Sequence, residues 1–278
     1  MKLVAITVYP VKSCRGIALT RARVERRGLA NDRRWMVVDD AGRFVTQREE
    51  ARLALVDVGI EDEAITMSVD RSCVAMAIAI EDGIRIEVDV WGRRVLAIAH
   101  DEASRWMSAH LARNVRVVHL PASSEAPSAS PFARPGDEVS FADGYPLLAA
   151  TEESLADLGA RIEARGVARV PMERFRPNVV LRGAAAWDED AWGTIAIGAL
   201  TLRAPKACDR CVITTIDPST ARSGPEPLRT LATFRRRDHG VWFGVNLVPD
   251  SFGEITIGDA AEVTERIPPP RFEHAASA

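Results

Sequence analysis

Along residues 2–98 the apolar positions fall in short runs rich in valine and isoleucine, broken by glycine and aspartate. LVAITVY, RWMVVD, GRFVTQ, LALVDVGI and DGIRIEVDVWGRRVLAIA each have the length and β-branched content of strands, so this region is predicted to be mainly sheet. At Asp101 the period changes. With Asp101 as N-cap, Trp106, Met107 and Leu111 share one face of a helix predicted to run to about Arg113. Residues 121–137, PASSEAPSASPFARPGD, carry few large apolar groups and read as a linker or surface loop between two domains, 1–120 and 138–268.

A second helix is predicted to start at Thr151 as N-cap, with Leu155, Leu158 and Ile162 on one face and Gly166 as its stop. The strand pattern then returns in PNVVLRG, GTIAIGALTLRAP, CVITTID, VWFGVNLVP and GEITIGDAAEV. Short strands joined by glycine turns point to a partly closed β-barrel. Residues 221–238 read as a loop with a short helix, and 269–278 as a flexible tail. The fold class is thus mainly β with a few helices.

The chain has 278 residues, 47% apolar and 27% charged, and a formal net charge of −3. That balance gives no general attraction to nucleic acid, so any anion site has to be local. The apolar opening is too short for a membrane span and carries no cleavage site, so the expected location is the cytoplasm. Scattered Cys14, Cys73, Cys208 and Cys211 do not resemble a disulfide framework, in keeping with a reducing compartment.

Cys208 and Cys211 form a CxxC, which alone has several meanings. A zinc site needs a second ligand pair that Cys14, Cys73 and five scattered histidines do not supply, and no HExxH occurs. A thioredoxin-like motif opens a helix, whereas here VITTID follows and reads as a strand. On a strand, residues three apart face opposite ways, so one thiol of the pair would face a given cleft. A lone thiolate suits a metal that brings most of its own ligands; two buried core cysteines are the bland alternative. Lys12, Ser13, Asp32, Arg33, Asp143, Gly144, Arg176 and Asn178 all sit at strand ends or turns, where convergent arginine forks would serve a phosphate. No Walker A or GxGxxG loop is present.

Taken in order, YPVKSCRG at 9–16, DRRWMVVDDAGRFVTQREEARLALV at 32–56, FRPNVVL at 175–181, ACDRCVITTIDPST at 207–220, EPLRTLATFR at 226–235, FGVNLVP at 243–249 and IGDAAEV at 257–263 resemble the MOSC family with its N-terminal β-barrel partner. The likeness spans nearly the whole chain and extends to amidoxime-reducing components of mitochondria and bacterial reductases of N-hydroxylated compounds. It implies a molybdenum cofactor (a molybdopterin) in a cleft between the domains, without zinc. Cys211 is implied as the catalytic metal ligand. Lys12, Ser13, Arg33, Asp143, Gly144, Tyr145, Arg176, Asn178 and Arg210 are implied as cofactor contacts. Asn246 stands where mitochondrial relatives have an aromatic residue near the cofactor, and it is the departure from the pattern.

The implied activity is reduction of a small N-hydroxylated substrate. No cysteine follows Cys211, so no Fe–S cluster of the usual kind is expected beyond it. Electrons would come from a separate ferredoxin- or cytochrome-type protein with its reductase, and the run Arg235, Arg236, Arg237 offers a candidate docking patch. Two rivals stand beside this reading. One is a sulfur or molybdenum-cofactor carrier using a Cys211 persulfide or thiolate; the other is a barrel that only binds a partner.

Overall fold

A computed structural model describes residues 1–61, 64–70, 72–79 and 83–272. Residues 273–278 of the expected tail lie outside these. Most of the elements are strands. In the largest sheet the strands Ile17–Leu19, Lys2–Val8, Val179–Arg182, Leu147–Thr151, Gly240–Pro249, Leu200–Asp209, Trp192–Ile197 and Ala261–Arg266 lie side by side in that order. Its ends meet. Leu3 N donates to Asp259 O at 2.9 Å and Ala261 N to Met1 O at 2.9 Å, so the sheet curls back on itself as a partly closed barrel.

The opening strand pairs antiparallel with Val179–Arg182, which lies parallel to Leu147–Thr151. A parallel pair needs a crossover, and helix α2 (Glu152–Glu163) supplies it. Thr151 caps α2 as predicted, accepting a bond from Ser154 N at 3.2 Å. Leu158 and Ile162 are buried beneath it with Phe175 and Phe243. Gly166 adopts φ +75°, a conformation that suits glycine after a helix end.

The first half adds a five-stranded sheet ordered Arg85–Val90, Arg93–His100, Arg116–His119, Trp35–Val38 and Phe44–Val45. Trp35–Val38 is buried at all four positions. Trp35 and Val37 meet helix α1 (Asp101–Leu111) through a core shared with Met107 and Leu111, while Met36 and Val38 pack with Phe141 on the other face. Burial on both faces explains a continuous apolar run in place of alternation.

Three local expectations are corrected. Asp101 is the first helical residue, His100 holds the cap position, and no side chain caps α1. The first part of LALVDVGI is a 3₁₀ turn, Ala51–Leu55, with the strand at Asp57–Glu61. VITTID is not a strand either. The strand ends at Asp209, and Val212–Thr215 form a 3₁₀ turn in which Thr214 and Thr215 return their hydroxyls to the Cys211 and Val212 carbonyls at 3.0 and 2.7 Å. Threonine can thus serve a tight turn as well as a strand.

Candidate active site

A cavity of about 580 Å³ collects side chains from both halves of the chain. Its first wall is built by two loops that zip together. Lys12 N donates to Trp35 O at 2.8 Å, Trp35 N to Pro10 O at 3.0 Å, and Arg33 N to Tyr9 O at 2.8 Å. Its second wall comes from the loop before Leu147–Thr151, from the turn at Arg176, and from Cys208 to Cys211 at the end of the Leu200–Asp209 strand. Ser13, Arg33, Trp91 and Arg176 line it with φ of 71°, 48°, 58° and 55°. Four left-handed non-glycine residues around one cavity concentrate backbone strain there, as functional sites do.

Seven cations line the cavity, Lys12, Arg33, Arg48, Arg93, Arg176, Lys206 and Arg210, against the carboxylates of Asp143 and Asp209. Arg33 and Arg176, distant in sequence, converge on the Tyr9 ring, with Cζ 4.5 and 4.2 Å from its centroid. Burial is the main force pushing the Tyr9 phenol up to about 12, against the pull of Arg176 and Arg33. Arg176 is drawn down to about 10, by burial foremost and by the like charge of Arg33. Burial also opposes the charge on Arg33, but Asp32, 2.6 Å from Nη1, more than offsets it and raises that group.

Asn178 is fully engaged as a strut. Its Oδ1 accepts from Arg33 Nη1 at 2.9 Å and Leu148 N at 3.1 Å, and its Nδ2 donates to Asp32 Oδ1 at 3.0 Å. Ser13 Oγ accepts from Gln47 N at 3.3 Å. Lys12 Nζ donates to Phe141 O at 2.7 Å and pairs with Asp143. Burial lowers the Lys12 ammonium, while Lys12 and Arg48 overcome burial at Asp143 and hold its carboxyl far below the usual range. Gly144 O accepts from Ser128 Oγ at 3.1 Å, and Tyr145 Oη from Ser130 Oγ at 2.6 Å. Asn246 Nδ2 ties down the Lys206 and Ala207 carbonyls at 3.2 and 3.3 Å, where the Leu200–Asp209 strand loses register with its neighbour.

The two thiols have different surroundings, although the alternation argument does not apply because Cys211 lies beyond the strand. Cys208 Sγ accepts from Arg210 Nη1 at 2.9 Å, and burial raises its thiol. Cys211 Sγ accepts from Arg48 Nη2 at 3.2 Å. Arg48 is the residue that sequence reasoning missed. The same Nη2 donates to Asp143 Oδ2 at 3.3 Å, and its Cζ lies 5.1 Å from the Trp91 ring centroid. The only signal was its place inside the quoted VTQRE stretch. Among the described residues, no three of His, Cys, Asp and Glu gather as a ligand set.

Three of the lining arginines keep a buried nitrogen without a hydrogen-bond partner: Arg48 Nη1, Arg176 Nη2 and Arg210 Nε. An unsatisfied buried donor on a cation is costly, and an anion is its natural remedy. The cavity can therefore hold a phosphate-bearing group and offer it one soft thiolate. The candidate docking patch is not intact, however. Arg235 is 4% exposed and forks onto Asp190 with two bonds of 2.6 Å, leaving only Arg236 and Arg237 at the surface.

Residues 1–114 match the MOSC N-terminal beta barrel domain and residues 136–262 the MOSC domain. Mitochondrial amidoxime-reducing component 1 of Mus musculus is 33% identical over 278 residues, covering 91% of this chain and 79% of its own. The chain belongs to the MOSC family. The human counterpart is 32% identical, covering 91% and 80%. Molybdenum cofactor sulfurase of Arabidopsis thaliana is 31% identical over 272 residues, 88% of this MOSC chain but 32% of the sulfurase. Among solved structures, the YUAD protein of Bacillus subtilis aligns with 94% of this chain and 93% of its own at 11% identity and a TM-score of 0.44. No helix among the described residues is long and apolar enough to cross a membrane.

Proposed function

We propose that this MOSC protein holds a molybdopterin-type molybdenum cofactor in the cationic cavity and reduces N-hydroxylated compounds with electrons from a separate donor protein. The observation that carries the reading is the set of unpartnered guanidinium nitrogens on Arg48, Arg176 and Arg210, in a cavity that also contains the Cys211 thiol. That donor set fits a pterin phosphate together with a metal that takes one protein thiolate. Lys12, Arg33, Arg176 and Arg210 would neutralise the phosphate. Asn178 would keep the Arg33 fork in place through the bond they share. The 143–145 loop would offer backbone groups to the pterin, and Arg48 would steady the Cys211 sulfur.

When bound, the cofactor would supply two-electron oxygen-atom chemistry. The overall change takes up two electrons and two protons, breaks the N–O bond, forms N–H and releases water. Asp143, held ionised by Lys12 and Arg48, is a fixed countercharge rather than a proton donor. The names of the amidoxime-reducing relatives support the substrate class. The sulfurase likeness supports a second reading, in which Cys211 carries sulfur or passes cofactor to a client without turning over a small molecule.

Protein made in a cofactor-competent host separates the two. Molybdenum and pterin should co-purify with the chain, and benzamidoxime should be reduced with reduced viologen. NADH alone should give no turnover, and adding a ferredoxin- or cytochrome-type donor with its reductase should restore it. Bound molybdenum without any viologen-driven turnover would favour the carrier. Robust NADH-driven turnover by the isolated chain would refute the external donor.

A further inference from the structure

Trp91 has no role in the cofactor cradle, yet its position is costly. It opens the two-residue turn between the strands Arg85–Val90 and Arg93–His100, with φ 58° followed by Gly92 at φ 79°. Such turns favour Asn-Gly, because a bulky side chain is strained at positive φ. The indole is also 56% exposed, although it lines the cavity. A strained, exposed aromatic is the opposite of what hairpin stability selects.

What surrounds the ring accounts for its placement. Phe44 packs against it at 5.0 Å between centroids, and Arg48 lies 5.1 Å from its centroid. The indole is therefore held before any ligand arrives. A single guanidinium separates it from the thiol, since Arg48 also donates to Cys211 Sγ at 3.2 Å. A second aromatic, Phe132, lines the same cavity and is 53% exposed. Its loop is pinned where Phe132 N donates to Ser130 Oγ at 3.2 Å and Ser130 Oγ donates to Tyr145 Oη at 2.6 Å.

We infer that Trp91, with Phe132, forms an aromatic subsite that selects planar aromatic N-hydroxylated substrates over small aliphatic ones. This rests on the function proposed above and names the substrate class. A half-exposed indole already held by Phe44 and Arg48 gives a flat ring a stacking surface at little entropic cost, whereas a methyl group gains almost nothing from it. Trp91 acts on specificity alone, so its effect belongs in binding and KM, and kcat should change little.

The test compares benzamidoxime with acetamidoxime, which share the reacting group and differ in the ring. Both are titrated calorimetrically into cofactor-loaded protein without reductant, so that no turnover occurs. The wild type should bind benzamidoxime about tenfold tighter, the size of one good stacking contact. Trp91→Ala should bring the two ligands within about twofold of each other, through loss of benzamidoxime affinity alone. Trp91→Phe should keep most of the preference, and Phe132→Ala should lose part of it. A wild type without ring preference, or a Trp91→Ala variant that weakens both ligands alike, overturns the inference; the second result would mean that Trp91 only braces Arg48. So would a Trp91→Ala defect confined to turnover with a protein donor, which would mark the ring as a docking surface. Ring-selective binding without reduction of either compound would instead refute the proposed reaction and leave the aromatic subsite standing.

Discussion

Replacing Glu189 with glutamine should stabilise the protein at pH 8 and have little effect near pH 5. Glu189 lies in the 3₁₀ turn Asp188–Ala191 and is fully buried. Its Oε2 meets Ser154 Oγ at 2.8 Å and Thr151 Oγ1 at 3.2 Å at the start of α2, while its Oε1 has no partner. Burial, reinforced by neighbouring Asp190, pushes the carboxyl up to about 7, against the pull of Ser154 and Arg235.

In the unfolded chain the same group titrates at about 4.5. Below that pH both states hold the proton and there is no differential effect. Between 4.5 and 7 the unfolded chain has released its proton while the folded protein keeps it, so stability falls as pH rises, and the penalty is complete above 7. At about 1.4 kcal/mol per pH unit the gap is worth about 3 kcal/mol, to order of magnitude. Glutamine carries no such penalty, and for a chain of this size the gain corresponds to a Tm advantage of roughly 5–10 °C at pH 8 over that at pH 5. Thermal unfolding of both proteins at the two pH values measures this difference, in which effects of other titrating groups cancel. A Tm gap between variant and wild type that is the same at pH 5 and pH 8 would refute the buried-acid account.

Cys211→Ala should abolish molybdenum retention and activity, whereas Cys208→Ala, whose sulfur is already engaged by Arg210, should keep at least part of both; equal, complete loss by metal analysis in both variants would remove the single-ligand assignment. Arg176→Ala should weaken cofactor retention about 10- to 100-fold, the range for one charge-assisted hydrogen bond, and pterin content unchanged after dialysis would contradict the cradle. Arg235→Ala should cost about 3–5 kcal/mol by stranding the buried Asp190 carboxylate, seen as a Tm loss of roughly 10 °C; a shift under about 2 °C would show that the pair is not a structural one.

Much of the architecture follows from local pattern. Valine-rich runs broken by glycine mark most strands, and Thr151 with the 3.6-residue period of Leu158 and Ile162 determines α2, because a cap and an amphipathic face are properties of contiguous residues. The run CVITTID shows the limit. Its β-branched content reads as a strand, yet after Asp209 the side chains of Thr214 and Thr215 find nearby carbonyls and close a turn.

Charge is the least legible property. Arg235, Arg236 and Arg237 look alike in sequence, but Asp190, 45 residues away, takes the first into the interior and leaves the others at the surface. The same holds for the site. The turn positions of Lys12, Arg33, Arg176 and Asn178 could be read along the chain because basic and polar residues at strand ends and turns are local signals. Arg48 could not, since its role is defined by Cys211, 163 residues away, and by Asp143 and Trp91. The sequence by itself determined most of the strands, where α2 begins and which turns carry charge. Only the closed sheet and the pairing of the Tyr9–Lys12 loop with Arg33–Trp35 decided which of those charges meet, because electrostatic and hydrogen-bond partners depend on distance in space, not along the chain.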